Sequence, residues 1–262
     1  MSNLIILRKF LFVLLLACIL SSCGKKSDKN LILYCGAGIR PAALKLIAAF
    51  EKVNPDIKIS ATYAGSGRLL GQLTAARKGD LFMPGSAFYV EKAVADNLAD
   101  VETRRDAAYF IPVILVQKGN PMRIKSLNDL VNKKIRLGLG DERAVAVGKQ
   151  SMKIFKKNNI TIDKVKQNLK YVSGTVNELG MAIELKNIDA AIVWDANAKQ
   201  YAHAGDSIEI PMKQNIPVTI PIVILSFSKY PEVAQKFINF VTSKTGIDIL
   251  KAQKYTTSMG GK

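Results

Sequence analysis

Tyr63-Ala64-Gly65-Ser66-Gly67-Arg68-Leu69-Leu70-Gly71-Gln72-Leu73 decides how this chain is read. The residues before it, Ile57-Lys58-Ile59-Ser60-Ala61-Thr62-Tyr63, alternate and carry β-branched and aromatic side chains, which predicts a strand. After it, Leu69, Leu70, Leu73, Ala76 and Arg77 follow helical spacing. Two glycines flank one serine at the junction, so the chain reads strand, tight turn, helix. Ser66 is the expected N-cap, and Gly65 and Gly67 allow close backbone approach. A helix start of this kind presents unpaired N–H groups and the positive end of the helix dipole, which suits an anion. By itself the stretch reads as an ordinary capped helix after a glycine turn. A ligand reading needs a second helix end facing this one.

That second end lies upstream. Leu31–Tyr34 is an expected strand, Cys35-Gly36-Ala37-Gly38-Ile39-Arg40-Pro41 a turn, and 42–53 a helix with Leu44, Ile47, Ala48 and Phe50 on or near one face. Pro41 suits the first helical turn, and Asn54-Pro55-Asp56 stops the helix. Two successive strand–turn–helix units with right-handed crossovers bring both turns to one sheet edge. Further along, a short strand and turn at 79–85 and a helix at 87–95 are expected. A long β-run follows at 109–118, then a strand at 134–139 and a helix ending near Lys157. Ser173-Gly174-Thr175 opens a helix at 176–185, Asp189–Val193 is a strand, and a second long β-run occupies 216–226. Helices near 231–242 and 245–252 close the chain. The two long β-runs suggest two crossings between lobes.

Composition bounds the rest. The 262 residues are 48% hydrophobic, enough for one large or two small domains. Arg8 and Lys9 precede the apolar run 10–20 and then Ser21-Ser22-Cys23, the pattern of a secretory signal. No other apolar run is long enough to span a membrane. Leu20-Ser21-Ser22-Cys23 resembles the bacterial lipobox, which implies cleavage before Cys23 and a lipid on its sulfur. Residues 24–30 read as a flexible tether. Of the 3 cysteines only Cys35 would then remain as a free thiol, expected to be buried. The net charge of +17 points reflexively to nucleic acid, but export and the scatter of the lysines argue against that partner. One histidine, His203, cannot build a metal cluster. No P-loop, nucleophile elbow or dinucleotide fingerprint is present, and Asp80, Glu142, Asp189 and Asp195 show no pairing as acid and base. No catalytic residue, cofactor or free metal cation is expected.

Four patches resemble the molybdate/tungstate-binding proteins, the extracellular receptors of oxyanion ABC importers. They are Leu33–Pro41; Tyr63–Gly67 with Gly79-Asp80-Leu81-Phe82-Met83-Pro84-Gly85; Val145-Ala146-Val147-Gly148-Lys149; and Asn187–Ala196. The resemblance implies an α/β, two-lobe periplasmic-binding-protein-like fold. Each lobe would be a mainly parallel sheet flanked by helices, joined by two crossover strands. The expected layout is a signal peptide at 1–22, a lipidated tether at 23–30, lobe 1 at 31–108 and 220–262, and lobe 2 at 109–219. It implies a molybdate or tungstate oxyanion held by Ser66, by backbone donors at Ala37, Gly38, Ile39, Ala146, Val147 and Val176, and by Trp194, where the family often has Tyr. It also implies permease and ATPase subunits as partners and an extracytoplasmic, monomeric protein held to a bacterial membrane through Cys23. Two departures stand out. The family's serine in the first turn is replaced by Ala37-Gly38, and Arg40, Arg68 and Arg143 lie close to the turns. An Arg40 or Arg143 clamp would suit another anion: sulfate, phosphate or an organic acid. An exported hydrolase using Ser66 is a third reading and requires a base near that residue.

Overall fold

The computed structural model describes residues 29–259. The signal segment, Cys23 and the tether as far as residue 28 lie outside the described residues. Strand β1 (Lys29–Gly36) starts two residues before the sequence expectation, because Lys29 and Asn30 pair with Ile57 and Lys58 of β2 (Ile57–Ala64). Between them a 3-10 turn (Ala37–Ile39) runs directly into helix α1 (Arg40–Val53). The buried stripe of α1 is Ala42, Ala43, Leu46, Ile47 and Phe50, while Leu44 is 49% exposed and Ala48 also faces solvent. The expected face was therefore rotated. At 100° per residue, Ile47 and Phe50 share a stripe with Ala43 and Leu46, and Leu44 falls off its edge. Phe50 meets Phe237 and Phe240 edge-on, with centroids 5.1 and 5.5 Å apart.

The chain continues through α2 (Ser66–Ala76), β3 (Leu81–Met83), α3 (Ala87–Ala95) and β4 (Ala99–Phe110). Next come β5 (Pro112–Gln117), α4 (Asp129–Asn132), β6 (Leu137–Gly140), α5 (Ala146–Lys157), α6 (Ile162–Asn168) and β7 (Leu169–Ser173). The last elements are α7 (Val176–Glu184), β8 (Ala190–Trp194), α8 (Asp195–Gln200), β9 (Gly205–Glu209), β10 (Val218–Leu225), α9 (Pro231–Thr242) and α10 (Lys244–Ala252). The sequence reading lacked β9, α6 and α8, and it merged the end of β4 with β5. No described helix is long and apolar enough to cross a membrane.

Among the described residues, ten strands form two five-stranded sheets, ordered β2-β1-β3-β10-β4 and β7-β6-β8-β5-β9. In each, four strands run one way and one runs against them: β10 in the first sheet, β5 in the second. The reversed strand is in each case the one that arrives from the other sheet, so the two lobes share one plan. The crossings are at Ile111, between β4 and β5, and at 210–217, before β10. Asp195 holds the first: its amide donates to the Ile111 carbonyl (2.8 Å) and its carboxylate accepts from the Ile111 amide (3.1 Å). Buried Asn215 ties the second crossing to the first, donating to the carbonyls of Pro112 (2.8 Å) and Ile210 (3.2 Å).

Asp80, Asp189 and Asp195, three of the acids whose roles the sequence left open, are fasteners of this kind, whereas Glu142 is exposed. Asp80, 4% exposed, accepts from the Ile32 amide (2.8 Å), the Ser228 hydroxyl (2.7 Å) and the Lys229 amide (3.1 Å), tying β1 to the loop after β10. Asp189 pairs with Arg136 at 2.7 Å. Burial pushes its carboxyl up, but the Arg136 hydrogen bonds and charge more than offset this and hold it below the usual carboxylate range. His203 sits at the surface against Glu184, 2.9 Å away. Asp80→Ala would strand two amides and a hydroxyl. It should lower unfolding stability by about 3 kcal/mol in a denaturant titration, and Asp80→Asn by less, because the amide oxygen still accepts.

Candidate functional site

The turns expected at one sheet edge do converge, and they meet their counterparts from the second lobe. A cavity of about 20 Å³ lies between the lobes. It is lined by Gly36, Ala37, Gly38, Ala64, Gly65, Ser66, Gly85 and Phe110 from the first lobe, and by Val145, Ala146, Val147, Val176 and Trp194 from the second. Its size exceeds the roughly 10–15 Å³ that one water needs, measured at water centres. Four helical segments begin on it: the 3-10 turn that leads into α1, then α2, α5 and α7. The 3-10 turn, α2 and α5 have no side-chain cap, so their first amides have no partner within the helix, and of those on α2 the Gly67 amide is taken by the Ala144 carbonyl. On α7, Thr175 caps only the amide of Glu178. No acidic, basic or histidine side chain lines the cavity. Its positive potential comes from backbone dipoles.

Ser66 is not the N-cap. Gly65 occupies that position, with extended backbone angles, and Ser66 is the first residue of α2. The Ser66 hydroxyl accepts a hydrogen bond from the Gly85 amide at 3.0 Å. A hydroxyl whose oxygen is engaged in this way keeps its own proton free to donate. Seven of the eight expected ligand-binding residues, Ala37, Gly38, Ser66, Ala146, Val147, Val176 and Trp194, line the cavity. Ile39 does not, its side chain being fully buried in the core.

The expected arginines lie elsewhere. Arg40 is exposed, with its guanidinium 5.5 Å from the centre of the Tyr63 ring. Burial pushes the Tyr63 hydroxyl up to about 12, with Cys35 adding to the rise and Arg40 opposing it. Arg143 borders an outer groove with Phe88 and Lys149, and Arg68 another with Asp141 and Ser173. Sequence reasoning missed Phe110, Val145, Ala64, Gly36 and Gly85 as lining residues and noted Gly65 only for its backbone. Phe110 stacks on Trp194 with centroids 4.8 Å apart and planes 5° from parallel, forming an apolar wall. Nothing local in a β-run marks such a residue. Gly85, by contrast, lay within a patch already singled out.

The glycines around Ser66 explain how the lobes meet. The Gly67 amide donates to the Ala144 carbonyl across the cleft at 3.0 Å. A methyl group on Gly67 would overlap the Arg143 carbonyl oxygen, and one on Gly65 would stand 2.7 Å from the Gly174 oxygen and overlap that of Ala144. Backbone presses on backbone with no room for Cβ.

Comparison with known proteins places this architecture. The model for bacterial extracellular solute-binding proteins matches residues 31–256. The chain belongs to that family. It is 30% identical over 233 residues to a binding protein of Haemophilus influenzae, covering 88% of this chain and 90% of that one. It is 24% identical over 223 residues to a molybdate-binding protein of Mycobacterium bovis, covering 85% and 82%. Among solved structures, the sulfate-binding protein of Mycobacterium tuberculosis superimposes with a TM-score of 0.77 at 16% identity, covering 87% of this chain and 86% of that one. The family and these relatives are binding proteins, in keeping with a cavity that holds no acid or base. The family works outside the cytoplasm.

Gly67→Ala should hold the lobes apart, because the added methyl has only backbone to displace. Small-angle scattering is expected to give a larger radius of gyration for Gly67→Ala than for the unsubstituted chain, with the melting temperature of the separate lobes little changed. Superimposable scattering profiles would contradict this account of the contact.

Proposed function

We propose that this solute-binding protein captures a tetrahedral oxyanion, molybdate or tungstate, between its lobes and delivers it to the permease and ATPase subunits of an ABC importer, while held to the membrane by a lipid on Cys23. The observation that carries the proposal is the meeting of four helix starts, three of them without a side-chain cap, on a small cavity between the lobes without a charged side chain. Fixed amide donors and the free Ser66 proton satisfy a small, fully ionised anion that needs only donors. Hydrogen phosphate carries a proton and needs an acceptor, and no carboxylate lines the cavity to supply one. An organic acid held by an arginine clamp is disfavoured on two counts: the cavity is about 20 Å³, and neither Arg40 nor Arg143 lines it. A hydrolase is disfavoured because Ser66 has no base beside it. Its one side-chain partner is an amide donor.

Sulfate is the second reading. It obeys the same donor rule, and a sulfate-binding protein shares the fold. The molybdate-binding relative supports the first reading, as does the resemblance of the turn sequences.

Titration calorimetry of the mature chain with molybdate, tungstate, sulfate and phosphate tests the proposal. Binding of the first two with phosphate rejected supports it, and binding of none of the four overturns it. Ser66→Ala and Ser66→Gly should each weaken binding by about ten- to a hundredfold, since both remove a hydroxyl donor to a desolvated dianion. Unchanged affinity in both would take Ser66 out of the site. Because no lining side chain titrates, molybdate affinity should be flat from about pH 6 to pH 9. A slope of one proton in that range would mean that a titrating group outside the lining controls binding.

A further inference from the structure

The turn at Ala37-Gly38 is gripped from the other side of the cleft. Two asparagines of the second lobe reach across the cleft to two consecutive carbonyls of the first. The Asn177 side-chain amide, at the start of α7, donates to the Ala37 carbonyl at 3.2 Å, and the Asn197 amide, on α8, donates to the Gly38 carbonyl, also at 3.2 Å. The two are joined at 3.4 Å, Asn197 donating to the Asn177 side-chain oxygen. Asn197 is 1% exposed. On the first lobe's side, the Tyr255 hydroxyl donates to the same Gly38 carbonyl at 2.6 Å. A Cβ on Gly38 would stand 3.0 Å from both the Asn197 oxygen and Val176 Cγ1 and 3.3 Å from Trp194 Cδ1, so this turn is shaped to receive the second lobe.

We propose that Asn177 and Asn197 are a closure clamp, positioning residues that grip the Ala37 and Gly38 carbonyls only when the lobes are shut and so keep the bound oxyanion from leaving. The proposal rests on the oxyanion reading of the same cavity and adds the residues that control release. In a trans peptide the N–H points opposite the C=O. Fixing the carbonyls of Ala37 and Gly38 therefore fixes the direction of the Gly38 and Ile39 amides, and accepting a hydrogen bond at the oxygen makes each of those amides a better donor. A contact made only in the closed state stabilises that state over the open one, so it slows opening and leaves the encounter with the anion untouched.

Stopped-flow binding of molybdate to the mature chain tests this, with Asn177→Ala, Asn197→Ala, the double variant and Asn197→Asp. Each alanine should raise the dissociation rate about three- to tenfold, with the association rate changed less than twofold. Asn197→Asp keeps the size but sets an acceptor against a carbonyl, and should release faster than Asn197→Ala. A purely space-filling role predicts the reverse order and would overturn the clamp, as would unchanged dissociation in the double variant. Small-angle scattering without anion separates this from the oxyanion reading. If the unsubstituted chain takes up no anion, that reading fails, yet the double variant should still have a larger radius of gyration than the unsubstituted chain. Equal radii would overturn the clamp whatever the ligand.

Discussion

The contact between the start of α2 and the second lobe's backbone is the constraint on which the rest of this molecule depends. Gly67 donates its amide to Ala144 at 3.0 Å, and neither Gly65 nor Gly67 leaves room for a side chain. Only that approach brings the amides of α2 within reach of those of α5 and α7. A cavity lined by small residues at every turn follows from it. Each added methyl would move one lobe outward and widen a small pocket of fixed dipoles into an open cleft, where the same donors would be satisfied by bulk water.

Charge is kept out of the cavity and used elsewhere. Asp80, Asp189 and Asp195 each bind backbone amides and hold strands or crossings in register. Arg40, Arg68 and Arg143 lie outside the cavity lining. The division has a physical sense. A buried guanidinium would bind a dianion more tightly and also admit singly charged and protonated competitors, whereas neutral donors select for a ligand that is fully ionised and small.

The two lobes share one sheet plan, with β10 and β5 as the reversed strands. Since each reversed strand comes from the opposite lobe, the crossings run side by side and are stitched by Asp195 and Asn215. A pair of short, hydrogen-bonded crossings lets the lobes rotate as bodies while keeping the edges that carry the helix starts face to face.

Much of this was written in local pattern. The strand–glycine turn–helix units at 31–53 and 57–76, the helices at 87–95 and 231–242, and the turns that line the cavity follow from periodicity, caps and breakers, which depend on neighbours in the chain. The family resemblance named seven residues that prove to share one cavity. What the chain alone did not reveal depends on partners far off in sequence. The buried stripe of α1 is decided by packing partners far off in sequence, such as Phe237 on α9 against Phe50, which is why Leu44 was misplaced. The move of the N-cap from Ser66 to Gly65 goes with the Gly85 amide taking the serine hydroxyl, a partner 19 residues on in sequence. Phe110 joins the site because Trp194 stacks on it, and Asn177 and Asn197 because closure sets them against Ala37 and Gly38. The sequence by itself determined which segments end in free amides. Only the tertiary structure decided which of those ends face one another, since that is a property of how two lobes pack and leaves no mark on the local spacing of residues.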